Sequence, residues 1–448
     1  MAYKFSIYNS YLTIGNRHMV IYNSYSQKIM IFRNQLFPIP TPEGKIDGND
    51  ILCNNIDDLI GGGMLVSDTT DEISQLKNRI SSIDNNNNEY ILHINPTLDC
   101  NFNCWYCYEN HIKGSVMSKQ TVGNVISYID NVINSSRDLK IFNLSFFGGE
   151  PFLKFNDVVK PVVEYTKKEC DSRQIGMRCH FTTNGSLIPQ HTIEFLKNYN
   201  TGFQITLDGG KEHHNKVRFY KGGRGSYDQI LKTIDLISGE GMHIVLRINF
   251  TEENILSVSG ILEDISRFDK NNKDNISIDL QRVWQNRPVG KDDVESIADK
   301  IRLDFKNAGF CVHANYIPSN VIDSCYGDKK NHVIINYDGN AYACTARDFD
   351  ENNSIGVLRD NGTIAYKDEI INKRRNSKFS KEICHKCRIA PLCAGGCCQR
   401  ALESGDDDIC VYGYSEKNKD DIVMDIIHAI LSHNKDYSQH NAIITESA

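Results

Sequence analysis

Cys100, Cys104 and Cys107 fall within one short stretch, CNFNCWYC, with the aromatic pair Trp105 and Tyr106 before the last thiol. A closed structural zinc site takes four ligands, usually from two CxxC-like pairs. Three thiolates on one loop suit instead a cubane [4Fe–4S] cluster, whose fourth iron stays open to a small molecule. A second concentration of cysteines comes late in the chain: Cys325, Cys344, Cys384, Cys387, Cys393, Cys397 and Cys410.

The elements that must carry these residues show in the apolar patterning. From Tyr90 to about Phe310, YILHINPT, KIFNLSFFGG, GMRCHFTTNG, GFQITLDGG, MHIVLRINF and ISIDLQRV read as strands separated by helical stretches. Six βα units in succession imply a parallel sheet with helices outside, as a partial barrel or an open doubly wound sheet. Sites on such sheets lie beyond the C-terminal ends of the strands. The loops there read CNFNCWYC, GGEP, TTNG and LDGGKEHHNKVR.

Residues 1–88 form a β-rich unit of short hairpins ending in a helix, bounded by the polar run DNNNN. Residues 89–310 are the βα unit, and residues 311–448 a cysteine-dense unit with a C-terminal amphipathic helix. At 448 residues, two or three packed units are the natural expectation. Lys and Arg number 50 against 57 Asp and Glu, with no long basic run, which argues against nucleic acid and anionic membrane surfaces. No signal-peptide or membrane-span pattern is visible, so the expected location is cytoplasmic. There, fifteen cysteines point to metal rather than disulfides. Cys53, Cys170 and Cys179 lie outside every motif and read as core.

CxxxCxxC with an aromatic before the third Cys, after the first strand of a βα repeat, resembles the signature of radical S-adenosylmethionine (SAM) enzymes. The resemblance implies a partial (β/α)6 barrel. It also implies that the open iron chelates SAM, whose reductive cleavage gives a 5′-deoxyadenosyl radical that abstracts hydrogen from substrate. FFGGEP is similar to the family's SAM-binding loop: Gly148 and Gly149 let backbone approach closely, and Glu150 accepts from the SAM ammonium. Thr183, Asn184, Thr206 and Asp208 fall where the family contacts SAM, though turn capping is an equal use for each. HHNKVR resembles the family's HDxxR, with Arg218 to grip a carboxylate, and Tyr106 is placed near adenine.

The late cysteines resemble the seven-cysteine SPASM domain that follows some radical SAM barrels. That resemblance assigns Cys384, Cys387, Cys393 and Cys410 to a distal auxiliary cluster. Cys325, Cys344 and Cys397 go to a proximal one, completed by Cys311 or an external ligand, making three [4Fe–4S] clusters. A zinc ribbon on Cys384 and Cys387 is the rival. SPASM enzymes modify polypeptides, so the implied partners are a ribosomally made precursor peptide and an electron donor such as flavodoxin or ferredoxin. The implied product is an oxidative side-chain cross-link, a thioether or an aryl-to-carbon cyclophane. Action on a whole protein, as in anaerobic sulfatase maturases, or on a small molecule is the alternative. Thr345 follows Cys344, where sulfatase maturases carry an Asp, and about 88 residues precede the barrel; both features argue against sulfatase maturation. Asp348 and Asp350, near Cys344, are the candidate catalytic bases.

Overall fold

The computed structural model describes residues 2–14, 18–33, 45–46, 56–283, 293–313, 319–405, 408–432 and 442–445; Cys53 lies outside them. By contact the chain divides into two compact units: Met1–Asn85 with Tyr316–Asp328 and Asn372–Ala448, and Asn86–Asn315 with Lys329–Ile371.

In the first unit β1 (Tyr3–Phe5) pairs antiparallel with β5 (Lys45–Ile46) and β6 (Leu65–Ser67). The strands β2 (Asn9–Ile14), β3 (His18–Asn23) and β4 (Lys28–Arg33) form an antiparallel meander. The strand Ala442–Thr445 lies parallel along the outer edge of β4, leaving β2 at the other edge.

Apart from its first residue, β3 is buried throughout, because both of its faces are covered. Met19 and Ile21 pack with Phe5, Leu59, Met64 and Leu65. Val20 and Tyr22, pointing the other way, pack with Ile389, Leu392, Val423 and Ile427 of the late cysteine-bearing segment. The N-terminal strands and that segment therefore share one core.

The second unit holds β7 (Glu89–Ile94), β8 (Ile141–Phe146), β9 (Gly176–Thr183), β10 (Thr201–Thr206), β11 (His243–Phe250) and β12 (Ile276–Arg282). All six sequence-expected strands are present, side by side in chain order and parallel. Every crossover thus steps the same way, the winding of a barrel wall rather than of a doubly wound sheet, whose order reverses at a switch point. The sheet continues through β13 (Cys311–Val312), parallel to β12, and β14 (His332–Ile335), parallel to β7. Three antiparallel strands follow β14: β15 (Asn340–Tyr342), β16 (Ser354–Leu358) and β17 (Ile364–Tyr366).

Alternation along each strand separates core from site. In β11, Ile244, Leu246, Ile248 and Phe250 have no exposed surface, so Val245, Arg247 and Asn249 face the other way. The helix Lys119–Ser135, which joins β7 to β8, belongs to the same core and is started by Ser118, whose side chain accepts from the Thr121 N–H. That helix buries Val122, Val125, Ile129 and Val132, at the three- and four-residue spacing of one helical face. Cys170 and Cys179 belong to the same core, as their isolation from the motifs suggested. Among the described residues no helix is long and apolar enough to cross a membrane.

Val20→Asp would place a carboxylate among Ile389, Leu392, Val423 and Ile427. It is expected to destabilise the first unit by about 3 kcal/mol or more, whereas Thr13→Asp, at an exposed position, should not. Urea unfolding, with limited proteolysis of residues 372–432 as the local probe, checks this.

Candidate SAM and iron–sulfur sites

The loop carrying Cys100, Cys104 and Cys107 leaves the C-terminal end of β7. It is gripped there by the loop leaving β8. Beyond the strand ends the two backbones keep bonding: Phe147 N donates to Ile94 O at 3.0 Å, Gly149 N to Thr97 O at 3.0 Å and Glu150 N to Asp99 O at 2.9 Å. The approach is so close that a Cβ on Gly148 would lie 2.4 Å from Thr97 O, and one on Gly149 2.1 Å from Asp99 O. Gly148 also has φ of +102°, a left-handed conformation that glycine alone adopts freely. The two glycines expected to admit a ligand are thus required first by the cysteine loop itself.

Asp99 secures the other side of that loop. Its Oδ1 accepts from Cys100 N at 2.9 Å and from Lys221 Nζ at 3.0 Å, and its Oδ2 accepts from Gly114 N at 3.0 Å.

The three cysteines line one cleft, with a cavity volume of about 290 Å3. Gly148, Gly149, Thr183, Asn184, Thr206, Tyr106 and Arg218 line it as well, so most of the SAM-contacting candidates come together. Two do not face it. Glu150 is fully buried and turned into the protein: its carboxylate accepts from Phe152 N, Asn184 N and Thr183 Oγ1 at 2.8–3.1 Å. Burial pushes that carboxyl up to about 7, against the pull of the Asn184 and Phe152 N–H groups. It ties the β8 loop to the β9 loop, so here it is a brace, not a ligand-facing acceptor. Asp208 is likewise buried, accepting from the Tyr106 hydroxyl and from Asn249 N.

Tyr106 therefore does more than offer a ring face. Its hydroxyl donates to Asp208 and accepts from Arg218 Nη1 at 2.6 Å, which lashes the middle of the cysteine loop to the ends of β10 and β11. Arg218, expected to grip a ligand carboxylate, spends Nη1 on Tyr106, while its buried Nε has no hydrogen-bond partner among the described residues.

Among the cleft residues that escaped the sequence reading are Glu109, Arg247, Asn249 and Arg282. The period-two pattern of β11 was the available signal for Arg247 and Asn249. Arg247 is held by Asp279 at 2.8 Å and by Asn249 Oδ1 at 3.1 Å. Glu109, two residues past Cys107, had no signal beyond its position. Its Oε1 is enclosed and without a hydrogen-bond partner among the described residues, and burial, with the nearby Asp348 charge, raises its carboxyl to about 8. The base candidates Asp348 and Asp350 are both exposed. Asp350 Oδ1 accepts from Asn353 N at 3.0 Å in its own turn. Neither lines the cleft.

The cleft fits the cofactors that its residues imply. Burial pushes the Cys100 thiol up to about 12, so its thiolate form needs a cation such as a cluster iron. Arg218, whose buried Nε has no hydrogen-bond partner among the described residues, answers the carboxylate that SAM carries.

A second cavity, in the first unit, is lined by Cys384, Cys387, Cys393 and Cys410 within an apolar wall of Ile389, Val411 and Tyr412. Burial and the neighbouring thiols raise Cys384 to about 11 and Cys393 to about 12. Lys419 of the C-terminal helix Glu416–Ser432 lines it too, its ammonium 2.6 Å from Glu416. Of the remaining late cysteines, Cys325 and Cys397 belong to the first unit and Cys344 to the second. Cys311 is exposed on β13, and Cys398 is buried.

Gly149→Ala should force the β8 loop off Asp99 and disorder the cysteine loop. The expected outcome is loss of about four irons per chain together with SAM-dependent 5′-deoxyadenosine formation, read by iron assay and chromatography.

Residues 94–265 match the family described as the Radical SAM superfamily. The radical SAM cyclopropyl synthase TigE of Paramaledivibacter caminithermalis is 21% identical over 389 residues, 82% of this chain and 79% of that protein. Among solved structures, an anaerobic sulfatase-maturating enzyme, anSMEcpe with bound AdoMet, superposes with a TM-score of 0.55 at 17% identity, over 77% of this chain and 97% of that one. SuiB of Streptococcus suis bound to precursor peptide SuiA gives 0.52 at 14% identity, over 91% of this chain and 99% of that one. With the three-cysteine loop, the glycine clamp and the barrel wall in place, residues 94–265 match the Radical SAM superfamily, and the chain is similar in sequence to a radical SAM cyclopropyl synthase and in fold to anSMEcpe and SuiB.

Proposed function

We propose that this chain is a radical SAM peptide maturase that oxidatively cross-links side chains of a ribosomally made precursor peptide. The observation that carries the proposal is the presence in one chain of two cysteine-lined cavities: one of three thiols beside unpaired polar atoms, one of four thiols in an apolar wall. The likeness over most of its length to SuiB, a protein seen with its precursor peptide, supports a peptide substrate.

Cys100, Cys104 and Cys107 would hold the SAM-binding [4Fe–4S] cluster, with Arg218 toward the SAM carboxylate. When bound, cluster and SAM supply the 5′-deoxyadenosyl radical that takes one hydrogen atom from substrate. Forming the new bond releases a proton and one more electron, so the product is two hydrogens lighter than the substrate. Glu109, a cleft-lining residue whose enclosed Oε1 has no hydrogen-bond partner among the described residues, is the group that would take that proton in its ionised form, in preference to the exposed Asp348 and Asp350. Cys384, Cys387, Cys393 and Cys410 would hold a further [4Fe–4S] cluster, a one-electron acceptor of the right capacity. In the N-terminal meander, β2 has no strand on its outer edge among the described residues, an edge to which an extended leader segment could add, while the β4 edge is taken by Ala442–Thr445.

A second reading is favoured by the likeness to a cyclopropyl synthase over 82% of the chain: carbon–carbon closure within one residue of the peptide. It shares the two-hydrogen loss.

Anaerobically reconstituted protein with SAM, a reductant and the peptide encoded beside its gene should yield product lighter by two hydrogens. Tandem mass spectrometry and thiol alkylation then separate thioether, cyclophane and cyclopropane. Replacing Cys100, Cys104 and Cys107 by Ala should abolish 5′-deoxyadenosine formation while iron bound by the other cysteines remains. Glu109→Gln is expected to lower the ratio of product to 5′-deoxyadenosine about a hundredfold. An unchanged ratio would remove Glu109 from the proton step.

A further inference from the structure

Beside the SAM cleft lies a separate cavity of about 230 Å3, lined by Trp105, Thr251, Glu252, Glu253 and Arg282. It lies at the C-terminal end of β11, where Thr251 opens a tight turn: its N–H donates to Asn254 Oδ1 at 2.7 Å and its Oγ1 accepts from Glu253 N at 3.3 Å. That turn puts two carboxylates at the cavity rim. Arg282 lines both cavities, so whatever the smaller one holds lies next to the cleft.

The chemistry of the lining is lopsided. Arg282 Nη2 bonds Glu252 Oε1 at 3.3 Å and offsets its charge. Glu253 has no ion pair among the described residues and leaves the cavity net negative. Trp105 of the cysteine loop lines the same cavity, with 60% of its surface exposed, a large indole that folding alone does not account for. Its plane is set nearly perpendicular to Tyr106, at 87°, and Tyr106 is itself anchored by Asp208 and Arg218. An indole and a carboxylate without an ion pair, lining one cavity, attract a cation through both the ring quadrupole and Coulomb attraction. A carboxylate ligand would meet Glu253 as a like charge.

We infer that this cavity is a substrate subsite that takes a lysine or arginine side chain of the peptide, flanking the residue presented to the SAM cleft. The inference rests on the peptide-maturase function proposed above. Glu253 supplies the charge, Trp105 the platform, and Arg282 holds Glu252 out of competition while forming the wall shared with the cleft.

The test is selection of a display library of random short peptides on the full-length, anaerobically reconstituted, SAM-loaded protein, in parallel with its Glu253→Gln and Glu253→Lys variants. Glu253 is exposed on a turn, so these variants should fold. Enrichment of lysine or arginine at a fixed distance from the modified residue is expected. Peptides with norleucine at that position should bind about fivefold more weakly to the native protein. That difference should vanish with Glu253→Gln, and Glu253→Lys should favour a glutamate there. Selected peptides with no basic preference, or one untouched by either Glu253 variant, overturn the subsite and leave the peptide reading standing. No selected peptide at all, while 5′-deoxyadenosine still forms, overturns both.

Discussion

Everything chemical in this protein depends on the abutment of two backbones beyond the ends of β7 and β8. Thr97 and Asp99 accept the N–H groups of Gly149 and Glu150, at an approach that admits no Cβ on either glycine of the GGE motif. The strand pairing is thereby prolonged into the loops, and the cysteine loop starts from a fixed platform. Loops are ordinarily the mobile parts of a βα sheet. Here the first one is bound by backbone hydrogen bonds that cannot be lost without leaving buried polar groups unpaired.

The same economy governs the polar side chains around it. Glu150 spans from the β8 loop to the β9 loop, and the Tyr106 hydroxyl, Asp208 and Arg218 join the middle of the cysteine loop to β10 and β11. Buried charges are tolerable only when satisfied in this way. Of the buried side-chain atoms without a hydrogen-bond partner among the described residues, Arg218 Nε and Glu109 Oε1 belong to residues of the cleft.

The first unit solves a different problem. Cysteine-rich segments have little apolar surface with which to build a core, and this one borrows it from the chain's other end. Ile389, Leu392, Val423 and Ile427 close over one face of β3, so the four-cysteine cavity stands on a scaffold made partly of N-terminal strands. The boundary drawn at residue 88 marks a change of sequence character, but residues on its two sides in the chain serve one hydrophobic interior.

The sequence by itself determined what is encoded by short spacing. The cysteine motifs, the two adjacent glycines, the six alternating strands and their order are all local patterns, because strand period and loop length act over a few residues. Burial of β3 on both faces was also legible in its near-continuous apolar run, HMVIYN, but not what would cover it, since hydrophobicity is non-directional and names no partner. Tertiary structure alone decided the pairwise matters. It turned Glu150 into a brace, tied the Tyr106 hydroxyl to Asp208 and Arg218, left Asp348 and Asp350 outside the cleft, and brought Glu109 and Arg282 to its wall. Each of these outcomes depends on which distant donor or acceptor reaches a side chain first, and hydrogen bonds and desolvation are settled only by positions in space.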